Sequence, residues 1–223
     1  MRLVLLPGLN GSSKLFAPLL SQLRGIDCLA LELPADCPQD HQSLADRLLD
    51  HLGNSPFILL GESFSGPLAY QLALRQPKGL RGLIMAASFL QCPNRLATLF
   101  SHLSLPPPQY TPDWLLRHYC VDDAPLEVLQ LLRQEIRALP SELTGRRLRV
   151  LAQLQPASKQ LSLPTLHLWP TQDRLVRPAA TARLEKVFSH LQQERIDGPH
   201  FLLQSRPHAC AAAIRRFMAH LGD

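Results

Sequence analysis

The sequence predicts an α/β fold with a mostly parallel sheet of about six strands and helices on both faces. Short apolar runs alternate with helix-like stretches near both ends of the chain, as expected of strands joined by crossover helices. The runs are continuously apolar, as expected when both faces of a sheet are buried. Between these two regions lies a long block without strand patterns, which predicts a helical insertion.

The predicted strands cover 3–6, 28–33, 57–60, 80–87, 165–169 and 194–196, and all but the short last one are mainly apolar runs. Helical patterns follow the first, second, third, fifth and sixth strands, over 15–23, 43–52, 64–75, 179–188 and 208–221. Ser43 is the predicted N-cap of the second helix, with Asp46 at its third position.

The central block predicts a helical cap of the sheet. Its helical patterns cover 94–103, 112–119, 125–138 and 141–154, and Pro125 and Pro140 stand at predicted helix starts. We therefore expect residues 1–91 and 160–223 to form the core, and residues 92–159 to form a cap over it.

Composition excludes several classes of protein. The five cysteines are odd in number and contain no Cys-x-x-Cys pair, so neither a disulfide framework nor a zinc site is expected. No apolar run reaches the roughly 18 residues of a membrane span, and a cytoplasmic location is the default expectation. The net charge of +5 is scattered, and the cluster Arg146, Arg147 and Arg149 is interpreted as a solvated helix face without support for nucleic-acid binding.

The segment Gly61-Glu62-Ser63-Phe64-Ser65-Gly66 carries the strongest functional signal. It lies between a predicted strand and a predicted helix, where a sharp turn lifts one residue clear of the sheet. Small residues must flank such a turn to avoid the neighbouring backbone. Ser63 is therefore the predicted nucleophile, although a serine at a helix start can also be a simple cap.

A serine nucleophile needs a base and an acid, and both follow predicted strands. A histidine usually takes the serine proton, and a carboxylate orients that histidine. Asp173 follows the strand at 165–169, and His200 follows the strand at 194–196. The rivals are His208, near the start of the last helix, and Asp197, which is too near His200 in sequence to orient it easily.

Two backbone amides are expected to bind the oxyanion. One is the amide of Phe64, directly after the nucleophile, and the other is that of Leu9, in the loop after the first strand. The side chain of Glu62 either tunes the site or, in the preferred interpretation, bonds to nearby backbone.

With these residues, the chain resembles the α/β-hydrolase superfamily in its esterase and lipase-like branch. The resemblance covers residues 1–90 and 160–223 and implies Ser63 as nucleophile, Asp173 as acid and His200 as base. The layout is similar to carboxylesterases that demethylate pimeloyl-acyl-carrier-protein esters, and equally to many small esterases. The chain departs from the family in having Ser65 for the second glycine of Gly-x-Ser-x-Gly, Pro7 for a histidine in the oxyanion loop, and two fewer strands at the start.

The predicted activity is hydrolysis of a carboxylic ester or thioester through an acyl-enzyme, with no metal or organic cofactor. Alternatives are an acyltransferase or a carbon–carbon bond hydrolase on the same triad, or a non-catalytic binding protein of this fold. Ser63 excludes the branches whose nucleophile is an aspartate.

Two further predictions concern what the enzyme binds. An acidic acyl carrier protein could dock on five arginines of the cap, which are Arg133, Arg137, Arg146, Arg147 and Arg149. A small-molecule pocket under the cap could be lined by apolar side chains, although at least half of them are expected to be helix-packing residues; they are Phe100, Leu103, Trp114, Leu115, Leu116 and Tyr119.

Overall fold

A single parallel sheet organises the residues that the structure describes. The structure is a computed structural model that describes residues 1–93 and 110–222. Its six parallel strands have the order β2-β1-β3-β4-β5-β6. They are β1 (Arg2–Leu6), β2 (Cys28–Ala30), β3 (Phe57–Glu62), β4 (Leu80–Ala86), β5 (Thr165–Pro170) and β6 (Leu191–Ile196). The predicted fold class is confirmed.

Helices occupy both faces of the sheet. They are α1 (Ala17–Gln22), α2 (His41–Leu48), α3 (Ser65–Leu74), α4 (Asp113–Leu116), α5 (Leu126–Ala138), α6 (Ser141–Ala152), α7 (Pro178–Val187), α8 (Leu202–Ser205) and α9 (Pro207–Gly222). Short 3-10 turns cover Ser13–Phe16 and Leu49–His51, and a π-helical turn covers Arg117–Val121.

The central strands β1, β3 and β4 contribute to two apolar cores, one on each face. In β1, Val4 packs in the core that holds α2, α3 and α7, whereas Leu3 packs in the core that holds α1 and α9. Both side chains are fully buried. Because successive side chains of a strand point to opposite faces, a strand covered on both sides needs an unbroken apolar run. This requirement explains the runs from which the strands were predicted.

Two predicted boundaries are wrong for identifiable reasons. Helix α2 begins at His41, and its N-cap is Asp40 instead of Ser43. The Asp40 carboxylate accepts hydrogen bonds from the amides of Gln42 (3.1 Å) and Ser43 (2.9 Å), so it satisfies two free amides of the first turn. Strand β6 begins at Leu191, three residues before its predicted start, because polar residues of this edge strand conceal it.

Within the predicted cap, helices α4, α5 and α6 lie close to the predicted positions. A third apolar cluster joins this segment to the turn after β1; its buried members are Leu15, Leu116, Val121, Ala124, Val128, Leu129 and Leu132. The predicted helix 94–103 lies outside the described residues. Helix α4 gives way to the π-helical turn at Arg117, so the predicted helix 112–119 is two structures.

Candidate active site

Ser63 occupies a strained turn between β3 and α3. Its φ is +47°, a left-handed conformation that few residues other than glycine adopt. Hydrogen bonds hold it there: its amide donates to the Ala86 carbonyl (2.9 Å), and its carbonyl accepts from the Gly66 amide (3.0 Å) and the Ser88 hydroxyl (2.8 Å). These hydrogen bonds therefore stabilise a left-handed backbone conformation that is energetically costly by itself.

The small residues around Ser63 are required by close contacts. A Cβ on Gly61 would overlap the backbone of Ser65, and one on Gly66 would overlap the Ser88 hydroxyl. Ser65, which replaces the second glycine of the family pattern, is fully buried and donates a 2.5 Å hydrogen bond to the Pro7 carbonyl. The substitution thus adds a bond between the nucleophile turn and the loop after β1.

The structure brings together the three side chains predicted to form a triad. The Oγ of Ser63 lies 2.9 Å from Nε2 of His200, and Nδ1 of His200 lies 2.8 Å from Oδ2 of Asp173. The side chains of His200 and Asp173 are each only 6% exposed. Oδ1 of Asp173 accepts hydrogen bonds from the amides of Leu175 (2.8 Å) and Val176 (2.9 Å), which fix the carboxylate.

Electrostatics at this site stabilise the charged forms of His200 and Asp173. Burial opposes ionisation of both partners, but their mutual attraction and hydrogen bond outweigh it, so the pKa of Asp173 is lowered and that of His200 is raised. The nearby Glu62 carboxylate also raises the pKa of His200. A raised pKa makes His200 a stronger base toward the Ser63 hydroxyl.

Glu62 is buried next to Ser63 and joins the loop after β1 to helix α8. Its Oε2 accepts the amide of Gly8 (3.3 Å), and its Oε1 accepts the side-chain amide of Gln204 (2.9 Å). Burial raises the pKa of Glu62, and these hydrogen bonds partly offset that effect. The preferred interpretation, a bond to nearby backbone, agrees with the Gly8 contact, but the bond to Gln204 in α8 had no signal in the sequence.

The loop after β1 lies against the nucleophile. A Cβ on Gly8 would stand 3.7 Å from the Cβ of Ser63. The Gly8 carbonyl accepts the amide of Gly11 (3.0 Å), which closes the loop into a turn, and the Leu9 carbonyl accepts a 2.8 Å hydrogen bond from Arg147. Phe64, which follows Ser63 in the chain, is fully buried. The assignment of the Leu9 and Phe64 amides to an oxyanion hole stays a prediction.

The interpretation of Arg146, Arg147 and Arg149 as one solvated face is wrong at Arg147, which is 1% exposed. Its Nε donates to Oε1 of Gln39 (2.9 Å), in addition to the bond from Nη1 to Leu9. Burial lowers the pKa of Arg147 to about 10, so the guanidinium remains charged at neutral pH. Arg147 lies on the buried side of its helix. The sequence gave no indication of this burial, because charged side chains usually face solvent.

A histidine at position 41, on a predicted loop or helix, is expected from the sequence to face solvent, and this expectation is wrong. The ring is buried, its Nε2 lies 3.1 Å from the Phe64 carbonyl, and burial lowers its pKa to about 4. A neutral imidazole can donate from Nε2, so His41 holds the peptide that follows the nucleophile. His167 is buried, but its Nε2 has no hydrogen-bond partner among the described residues, so the expectation of an interior histidine with satisfied hydrogen bonds is wrong at that atom.

The rival acid and base stand apart from the three central side chains. Asp197 accepts hydrogen bonds from the Thr171 hydroxyl (3.0 Å) and the Gln172 amide (2.8 Å). His208 is exposed in the first turn of α9. Both remain surface groups here, in line with the preference for Asp173 and His200.

The predicted pocket-lining residues separate into different environments. Trp114 is 69% exposed and Tyr119 is 39% exposed, so neither is enclosed by the described residues. Leu116 is buried and packs in the third apolar cluster, as a helix-packing residue does. Phe100 and Leu103 lie outside the described residues.

The described residues contain neither a cluster of metal ligands nor a membrane-spanning helix. Over residues 1–93 and 110–222, no group of three or more His, Cys, Asp or Glu side chains could hold a metal ion. No helix in the same ranges is long and apolar enough to cross a membrane. The thiols of Cys28, Cys37, Cys120 and Cys210 are unbridged.

Comparison with known proteins decides the family. The sequence model of the alpha/beta hydrolase family matches residues 3–213. The chain belongs to the alpha/beta hydrolase family. Among curated proteins, this hydrolase is similar to haloalkane dehalogenase 2 of Mycobacterium tuberculosis, with 26% identity over 199 residues, which cover 78% of this chain and 68% of that protein.

Solved structures share the fold of this hydrolase at low identity. A thermophilic esterase from Thermogutta terrifontis matches with a TM-score of 0.85 and 19% identity, covering 100% of this chain and 91% of that chain. Epoxide hydrolase CorEH matches with a TM-score of 0.76 and 15% identity, covering 99% and 92%. The family supports hydrolysis as the class of reaction, and the closer likeness to pimeloyl-acyl-carrier-protein esterases stays a prediction.

Proposed function

We propose that the protein is a serine hydrolase that cleaves a carboxylic ester or thioester through an acyl-enzyme. The observation that carries this proposal is the continuous line of hydrogen bonds from Ser63 through His200 to Asp173. This connection makes the hydroxyl a nucleophile and gives its proton a destination.

The mechanism follows from these positions. Nε2 of His200 takes the proton of Ser63 as Oγ attacks the acyl carbonyl, and Asp173 stabilises the imidazolium that forms. The amides of Phe64 and Leu9 bind the tetrahedral oxyanion. His200 then protonates the leaving alcohol or thiol, and a water molecule, activated by the same imidazole, releases the acid and restores Ser63.

A serine nucleophile favours acyl substrates over alkyl halides or epoxides. Attack of Ser63 on an alkyl carbon would leave an ether, which has no carbonyl for water to attack and would end the cycle. Attack on an acyl carbon leaves an ester that the same His200 can hydrolyse. The names of the dehalogenase and epoxide hydrolase therefore point to a shared fold more than to a shared substrate.

We further propose that residues 92–159 form a cap that shapes the acyl site. The described part of this segment contacts the histidine loop, since the Phe201 amide donates to the Cys120 carbonyl (3.0 Å). It also contacts the loop after β1 through Arg147. A cap that touches both sides of the site can set the length of acyl group that fits.

The charges of this segment give no support to the predicted carrier-protein partner. Arg147 is buried, Arg146 pairs with Glu142 at 2.5 Å, and Arg133 pairs with Asp113. These arginines do not present one free basic face. We therefore propose a small-molecule ester or thioester as the substrate.

Hydrolysis of p-nitrophenyl esters from acetyl to palmitoyl tests the proposal. We expect saturable turnover, with an optimum at one acyl length, that disappears in Ser63→Ala. Adding an alcohol acceptor separates hydrolysis from acyl transfer, because a transferase would form the new ester in preference to the acid. Turnover that Ser63→Ala retains, or no turnover of any acyl ester by folded protein, would contradict the proposal.

A further inference from the structure

Arg147 is a buried cation whose hydrogen-bond partners are neutral. The guanidinium bonds to a glutamine side chain and a backbone carbonyl, and no carboxylate of residues 1–93 or 110–222 forms an ion pair with it. Burying a charge without a counter-ion is costly, and packing alone would be better served by an apolar residue. This cost suggests a role beyond stability.

The contacts of Arg147 are with the residues on both sides of the proposed oxyanion hole. It bonds to the carbonyl of Leu9, and its Cζ lies 6.0 Å from the centre of the Phe64 ring. Gly11, which closes the loop at a φ of +77°, has no room for a Cβ because Nη1 of Arg147 lies there. The loop backbone is thus shaped around the guanidinium.

The guanidinium is itself held in orientation. Gln39 accepts its Nε–H and in turn donates to the carbonyls of Pro34 (3.0 Å) and Cys37 (2.7 Å). At Leu9, the groups next to the amide are fixed on both sides, since Gly8 N–H is bound to Glu62 and Leu9 C=O is bound to Arg147. The direction of the Leu9 amide therefore depends on these two bonds to the neighbouring peptide units and on the bond that the carbonyl of its own peptide unit, Gly8 C=O, accepts from Gly11 N–H.

We propose that Arg147 is a positioning residue for the hydrolase reaction: from helix α6, it orients the Leu9 amide toward the oxyanion and leaves a positive charge beside it. This inference rests on the proposed function. Because oxyanion donors act mainly in the transition state, loss of Arg147 should lower kcat and leave KM nearly unchanged. Helix α6 would thereby couple the cap to the chemical step.

The test compares Arg147→Gln and Arg147→Lys with Arg149→Gln, an exposed control on the same helix. We expect Arg147→Gln to lower kcat by about 10- to 100-fold, with less than about a threefold change in KM. Arg147→Lys should recover part of the loss, because it keeps the charge without the planar fork. Arg149→Gln should match the wild type.

Two further readouts distinguish positioning from stability. Affinity for a trifluoromethyl ketone that mimics the oxyanion should fall with kcat, whereas affinity for the product acid should not. Arg147 also lines a crevice of about 240 Å³, so the void in Arg147→Ala would open to it and guanidinium ion should restore activity. Concentrations of active enzyme come from fluorophosphonate titration, which removes any effect of misfolded protein.

The inference would be overturned if kcat per active site is unchanged in both Arg147→Gln and Arg147→Lys. It would also be overturned if the substitutions change KM but not kcat. Either result would leave the proposed function intact if the wild type still turns over esters through Ser63. A folded wild type that hydrolyses no acyl ester would overturn both proposals together.

Discussion

The two sides of the proposed active site are held in place by different means. On the triad side, Ser63, Asp173 and His200 each follow a strand, and backbone hydrogen bonds near them fix the Ser63 turn and the Asp173 carboxylate. On the oxyanion side, side chains from distant segments hold the loop after β1: Glu62 binds Gly8, and Arg147 binds Leu9.

This difference separates what the fold supplies from what individual side chains supply. Parallel strands end at one edge of the sheet, so any family member brings the triad loops together. The position of the amides proposed to bind the oxyanion depends on buried polar contacts, which are lost when one partner is removed. Substitutions on the triad side should therefore abolish chemistry, whereas those on the oxyanion side should tune it.

The largest effect is expected at the nucleophile. Ser63→Ala removes the attacking atom and should lower kcat by about 10⁴- to 10⁶-fold, with little change in thermal stability. Ser65→Ala, two residues away, is the matched control and should lose less than about tenfold, because it removes only the bond to Pro7. Equal losses in both variants, measured with the preferred p-nitrophenyl ester, would contradict the assignment.

The second-largest effect on kcat is expected at the proposed acid, Asp173. Asp173→Asn keeps the shape of the side chain but removes the charge that stabilises the imidazolium, so kcat should fall by about 10⁴-fold. Asp197→Asn, at the rival acid, should leave kcat within about twofold, since that side chain bonds to Thr171 and Gln172. A greater loss at position 197 than at position 173 would exchange their roles.

Packing around the Ser63 turn should be tested through stability. Gly66→Ala places a methyl group on the Ser88 hydroxyl and should reduce the free energy of unfolding by about 1–3 kcal/mol. Gly145→Ala in helix α6 meets only the Arg149 side chain, at 3.7 Å, and should stabilise by up to about 1 kcal/mol. Urea denaturation measures both, and a Gly66→Ala variant as stable as wild type would exclude the crowding.

The smallest effect is expected in the pH dependence. His200 must be neutral to accept the serine proton, and its pKa is raised, so kcat/KM should fall as pH decreases through a value above the ordinary 6.5. Glu62→Gln removes a charge that raises the pKa of His200, so the acidic limb should move to lower pH. An acidic limb that does not move in Glu62→Gln would contradict the electrostatic role of Glu62.

The sequence predicted the triad side more fully than the oxyanion side. Each triad residue follows its own strand pattern, and the order of Ser63, Asp173 and His200 matches a family motif, so the three could be found although Ser63 and His200 are 137 positions apart. The Arg147–Leu9 and Glu62–Gln204 contacts join residues 138 and 142 positions apart, and charged side chains at these positions usually indicate solvent. His41 was misplaced for the same reason, since only the fold shows that α2 covers Phe64.

Labelling with a fluorophosphonate, followed by peptide mass spectrometry, tests the central claim most directly. We expect one adduct per chain, carried by Ser63, and no adduct at Ser65 or Ser88. Labelling should slow strongly in His200→Gln, because the imidazole removes the serine proton. An intact, folded protein that takes up no label, or that is labelled at another residue, would contradict the account.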